Sequence, residues 1–285
     1  MPNRFWVGGS GTWNSASTAH WSTTSGGGGG ATLPAAVDVA IFDGLSGGGT
    51  VVVDSPNGAG LVLLQGLTFG AFTGTLDFAT NNNNVAVTTS VSGTGTGIRT
   101  LNMGDGQWTL NRGAAGSTWN FITSTNLALF KNGSTIVIAG TGAAGTSFHS
   151  GGLSWGPITV GACPNASITR FEPGGGAGGT YASMDITGPV NIEFRESLTH
   201  IFTGGITGTG TASGPISIGT ESKSATAASL FMGAVSSIDY GVFRGITGLG
   251  SNINATNSFG LGTISGNLFI TPPAVGSGGG PQVIG

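Results

Sequence analysis

Apolar positions along this chain recur in short alternating runs of four to six residues, each bounded by Gly, Asn, Ser or Pro, and helical periodicity is almost absent. The pattern predicts an all-β chain. VAIFD, TVVVD, GLTFG, TLDF, VAVTT, RTLNM, QWTLN, NLALF, STIVIAG, GLSWG, ITVG, SITRF, SMDIT, VNIEF, LTHIF, PISIG and NLFIT follow one another in order. So many evenly spaced strands call for an internal repeat. Leu101, Leu127 and Leu153 follow at equal steps, each opening a Leu-x-apolar strand, and the same step separates Leu110 from Ile136 and Val160 from Ile186. One turn of a parallel β-solenoid takes roughly 20 to 30 residues, and its inward side chains stack turn upon turn. The expectation is a single-stranded parallel β-helix, with a β-sandwich or jelly roll as the alternative; near residue 220 the equal-step register is lost.

Three segments follow. Residues 1–36 carry Trp6, Trp13 and Trp21 and the run Gly26 to Gly30, and read as an aromatic cap over an open solenoid end. Residues 37–271 form the solenoid body. Residues 272–285 have no strand pattern, and with Val283 and Ile284 near their end they read as an extended tail able to lie along a neighbour as an added strand.

Composition sharpens this. Of 285 residues 57 are Gly, 37 Thr, 29 Ser and 18 Asn, while Asp, Glu, Lys and Arg together number only 19. About half the chain is turn and β-surface material. Hydrophobic residues still reach 38% at a net charge of −3, the opposite of the disordered combination. Eight basic residues against 11 acids make no phosphate-binding stripe, so no nucleic acid is expected. Apolar runs such as Val51 to Val53 and Leu61 to Leu64 fall far short of the roughly 18 residues of a membrane helix, so no membrane insertion is expected either. MPNRFWVGGSG lacks the apolar stretch of a signal peptide, which predicts synthesis in a cytoplasm. The lone Cys163 excludes an intramolecular disulfide.

RFWVGGSGTWNSASTAHWSTTSGGGGGATLPAAVDVAIFD resembles the opening of a family of Gly/Thr-rich proteins encoded by tailed bacteriophages and their prophages. LTFGAFTGTLDF, IRTLNMGDGQWTLN with its later TWN, NGSTIVIAG, GGLSWGPITVG and the segment from LTHIF through NLFITPP look like successive elements of that family, so the likeness runs to about Pro273. The resemblance implies a β-helix-like structural virion protein of the fibre, spike or decoration type. Its partners would be other capsid or tail proteins and further copies of itself, as in a trimer, and its place the virion surface. The opening is also similar to autotransporter-adhesin passengers, from which this chain departs in lacking an export signal and a membrane barrel.

Candidate chemistry is sparse. Tryptophans Trp6, Trp13 and Trp21 offer indole faces for a host surface glycan, although a lid over the first coil is the stronger reading. Trp108, Trp119 and Trp155 read as core. The charge-dense stretch 170–200 holds Arg170, Glu172, Asp185, Glu193, Arg195 and Glu196 with His200. Along VNIEFRES, alternation puts Glu193 and Arg195 outside and Phe194 in the core. Glu172 precedes Glu193 by about one coil length and would sit one coil below it. Two carboxylates about 5 to 9 Å apart suit a polysaccharide depolymerase, but a solvated ion-pair ladder gives the same pattern. Asn81 to Asn84 read as a corner tolerating left-handed backbone. With His20, His149 and His200 dispersed, no GxSxG, no P-loop and no calcium nonapeptide, the expectation is no catalytic residues, no cofactor and no metal. The expected role is structural, on the particle surface, with a glycan-binding adhesin as the alternative.

Overall fold

The computed structural model describes residues 2–111, 117–140, 142, 145–163, 168–174, 178–221 and 226–274. It is nearly all β, with most strands in one large, mostly parallel sheet, so the all-β expectation holds and facing antiparallel sheets are not what the strand pairing shows.

The pairings resolve into three ladders that the chain visits in the same order on each coil after the first, which has no ladder III strand. Ladder I runs through Asn3–Trp6, Val39–Ile41, 66–68, 90–92, Ser117–Asn120, Thr146–His149, Ile168–Glu172, Val190–Phe194, Ile216–Thr220, 241–244 and 259–261. Ladder II opens with the parallel strands Gly11–Trp13, Thr50–Val53, Thr75–Asp77, Arg99–Asn102 and Leu127–Phe130. It resumes with Ser154–Trp155, Thr180–Tyr181, Thr199–Phe202, Ala228–Met232, 246–250 and 264–266. No strand pairing crosses its break among the described residues, where the Lys131 Nζ instead donates to Ser154 Oγ at 3.3 Å and to the Trp155 carbonyl at 3.2 Å. Ladder III joins 61–64, 84–87, Gln107–Asn111, Thr135–Ala139, Ile158–Val160, Met184–Thr187, Ile206–Thr209, Ser236–Asp239, 253–256 and 268–270.

Coil length, taken from one residue to its register partner on the next coil, varies along the body. Thr180 to Ile201 is a short coil there and Thr207 to Ser237 a long one. The last coils are shorter than either, as from Ser236 to Ile253 and from Ile253 to Leu268. This corrects the equal-step register. Val160 does pair with Ile186, but Leu127 pairs with Arg99, Leu101 with Leu129, Leu110 with Ile138 and Ile136 with Trp108. The true step at these four exceeds the inferred one by two, and an error of two keeps every side chain on its face because strand alternation has period two. Leu153 lies just outside a strand.

Alternation buries one row per strand, as in Thr135–Ala139, where Ile136 and Ile138 are buried and their neighbours half-buried. The inward rows of all three ladders meet in one continuous core. In ladder I, Trp119, Phe148, Phe171 and Phe194 are register partners on successive coils, with ring centroids 5.7, 5.5 and 5.3 Å apart. Each such ring contributes about 1.5–3 kcal/mol by leaving water, and the stacked geometry repeats only if the coils stay in register.

Corners carry the remaining polar load. Asn82 adopts φ +47° beside Asn83, a buried residue whose Nδ2 donates to the Val53 carbonyl at 2.8 Å and whose Oδ1 accepts from the Ser55 amide at 2.9 Å, as the corner reading of the Asn run requires. Arg99 faces inward at 1% exposure. Its guanidinium donates to the carbonyls of Gly93, Gly95 and Gly97 in its own coil and of Thr125 in the next, with no carboxylate partner among the described residues. Burial pulls its pKa below the ordinary arginine value.

The N-terminal segment is not separate from the body: Asn3–Trp6 and Gly11–Trp13 are the first rungs of ladders I and II. Trp21–Ser22 pairs antiparallel with Asn3–Trp6. Of the tail, residues 275–285, with Val283 and Ile284, lie outside the described residues.

Close approach of coils at corners gives a test. A Cβ on Gly70 would fall on the Thr94 carbonyl oxygen, and one on Gly28 would meet nothing. Gly70→Ala is expected to lower the unfolding free energy by roughly 1–3 kcal/mol, and Gly28→Ala to stay within about 0.5 kcal/mol of the parent, both read by urea denaturation.

Candidate functional site

Tryptophans Trp6, Trp13 and Trp21 are 0% exposed. Trp6 Nε1 donates to the Gly9 carbonyl at 2.7 Å, and His20 stacks on its face with centroids 4.7 Å apart. Trp21 meets Trp6 and Trp13 edge-on at 5.3 and 5.1 Å, over Phe42. A sugar platform needs an open indole face, and none of the three presents one. The expectation of a glycan site on these residues is corrected on that ground: three indoles set so close together in the first coil have the core as their nearest apolar surface.

The charged stretch gathers on the outer surface of ladder I. Thr146–His149, Ile168–Glu172 and Val190–Phe194 place Ser147, Arg170 and Glu193 in one outward row, and His149 beside Glu172 in the next. Alternation therefore orients Glu193 and Arg195 as expected, with Phe194 fully buried. The coil here runs from Arg170 to Glu193, so those two are register partners and Glu172 stands two positions along. Arg170 is a hub. Its Nη2 lies 3.0 Å from Glu193 Oε2, its Nη1 3.3 Å from Glu221 Oε1 and its Nε 3.8 Å from Glu172 Oε1, while His149 Nδ1 is 3.7 Å from Glu172 Oε2. Burial tends to lower the Arg170 pKa, but the hydrogen bond to Glu193 and the charges of Glu221, Glu193 and Glu172 outweigh it and hold the group above its ordinary value.

Two open depressions flank this hub. One, about 460 Å³, is lined by His149, Glu172, Arg195 and Glu196 with Pro173 and Leu198. The other, about 300 Å³, lies over Glu193, Asn191 and Ser217 up to Arg244, where Gly219 leaves the row without a side chain. Thus Glu172, Arg195 and Glu196 share one wall, and Glu193 belongs to the next. Glycoside hydrolysis by two carboxyls needs one held protonated and one ionised. Here Glu172 and Glu193 lean on the same guanidinium, so the geometry does not set the two carboxyls apart. What it does chemically is tie three successive coils together through charge-assisted bonds. The described residues contain no group of three or more His, Cys, Asp or Glu able to hold a metal ion, and no helix long and apolar enough to cross a membrane.

Sequence reasoning missed the interior polar groups. His200 is 0% exposed between Phe194 and Tyr181, with centroids at 4.8 and 6.5 Å. Desolvation lowers its pKa to about 4, the Arg195 backbone opposing the shift without completing a hydrogen bond to either ring nitrogen. Burial likewise pushes the Tyr181 phenol up. The even spacing of His200 and Phe202 within THIF was the available signal, since Phe202 is core.

Comparison with family models, curated proteins and solved structures finds no match to this chain.

The buried imidazole sets a pH dependence. Its folded pKa lies below the ordinary 6.5, so the stability it permits is complete above pH 6.5 and is lost as pH falls toward 4. The loss amounts to roughly 3 kcal/mol if His200 alone is counted. Melting temperature measured from pH 7.5 to 4 should decline in the parent and decline much less in His200→Leu; equal slopes would remove the assignment.

Proposed function

We propose that the chain is a single-stranded parallel β-helix, closed at its N-terminal end by a tryptophan lid, and that it serves as a structural protein on the surface of a tailed-phage virion, as capsid decoration or as a head or tail fibre component, without catalysis. One observation carries the reading. Outward rows are made mostly of short polar side chains, as in Thr109, Val137, Thr159, Asp185, Thr207 and Ser237 on successive coils, around a core that runs unbroken through every coil. Such a molecule is stiff and offers its surroundings hydroxyls and little charge, which suits display and lateral packing against other virion proteins. The carboxylates that suggested depolymerase chemistry are engaged with Arg170. With the tryptophans closed, a host glycan would have to be taken by the open depressions beside Glu193 or Glu172.

Mass spectrometry of purified particles tests this. The protein should copurify with virions, at hundreds of copies if it decorates the head and a handful if it belongs to the tail. Its absence from particles made by a host that expresses it would overturn the reading.

A further inference from the structure

The two ends of the ladders are built differently. At the N-terminal end, Asn3–Trp6 has both edges paired, with Val39–Ile41 in parallel and with Trp21–Ser22 antiparallel. At the other end, the final coil Phe259–Ile270 pairs with Gly241–Thr256, and no described strand takes the second edge of 259–261, 264–266 or 268–270. Unpaired donors and acceptors along such an edge are a template for another chain.

The end is apolar as well as unpaired. Ile264 and Leu268 continue the inward rows of Ile246 and Ile253, which are 0% and 1% exposed, yet they are only partly buried. Six of the eleven exposed large hydrophobics lie from Phe231 to Phe269, with Phe259, Leu261 and Phe269 on the final coil itself. Free edges are ordinarily blunted by charge. This one is not: no Asp, Glu, Lys or Arg follows Arg244 in the sequence.

We infer that the final coil docks on the final coil of a second copy, giving a closed twofold dimer joined end to end. The edge asks for three short strands set around one core of the same narrow cross-section. The last coils, such as Ile253 to Leu268, are shorter than those of the body, such as Thr180 to Ile201, so within this chain only those coils have that section. Head-to-tail growth cannot extend all three ladders, because Trp21–Ser22 already takes the second edge of Asn3–Trp6 at Phe5 and Trp6 while only Gly11–Trp13 and 61–64 keep one side unpaired among the described residues, and this favours the isologous, self-closing arrangement. Across the joint, the exposed Phe259, Leu261 and Phe269 become apolar cross-strand neighbours of the partner's final coil. The inference rests on the unpaired edge and holds whether or not the protein is carried on a virion.

Sedimentation velocity tests it on the full chain and on the double variant Leu261→Lys, Phe269→Lys. Both side chains are 43% or more exposed in the single chain, so the variant should keep the parent's far-UV circular dichroism. The expected result is a dimer for the parent at micromolar concentration and a monomer for the variant. A second measurement needs no substitution: amide hydrogen exchange of 259–270 should slow as concentration rises through the dimerisation range. A monomeric parent, exchange independent of concentration, or an oligomer that survives both lysines would each overturn the inference.

Discussion

Nearly every strand in this protein satisfies its backbone hydrogen bonds with the coil before and the coil after it, and that one constraint governs the rest. Parallel pairing along a ladder fixes which residue lies over which, so the inward row of each strand must be apolar and must stack on the next inward row. The Trp119, Phe148, Phe171 and Phe194 column is the plainest case: four rings in four consecutive coils, each the register partner of the last. Where the column reaches Thr220, the next partner of Phe194, its buried hydroxyl has no hydrogen bond among the described residues.

Coil length is free to vary because the constraint acts on strands and not on corners. Extra residues go outward, and the polar groups they bring are met locally. Arg99 serves this purpose from inside, its guanidinium collecting carbonyls from two neighbouring corners. Arg170 does the same from outside, collecting carboxylates from its own coil, from the following coil and from the one after that. Two arginines among so few charges thus hold successive coils together, one on each side of the sheet.

Alternation is legible in the sequence wherever a run is long enough, as in STIVIAG and VNIEF, because period two needs no knowledge of neighbours. Register is not, since it depends on corner lengths that no residue pattern announces: equal spacing matches Leu127 to Leu101 when it stacks on Arg99, and an assumed coil from Glu172 to Glu193 sets those two together when Glu193 stacks on Arg170. Both errors are even-numbered, so faces come out right and partners wrong. Arg99 shares parity with Leu101 and Met103 in RTLNM, which is the sign that its side chain points inward. The burial of Trp6, Trp13 and Trp21 follows from their place in the first rungs of ladders I and II and in the strand paired to them, a fact of topology and not of composition.

The account stands on successive coils stacking in parallel, one strand spacing at a time. Thr109, Thr207, Ser237 and Asn254 occupy one outward row of ladder III. Pulsed electron paramagnetic resonance on spin-diluted double-cysteine variants, with Cys163→Ala as background and one label fixed at 109, measures that spacing directly. The label at 207 should lie four strand spacings away, at 237 five and at 254 six, a climb of about 4.8 Å per coil to roughly 29 Å. Distances that do not rise in that order would contradict it.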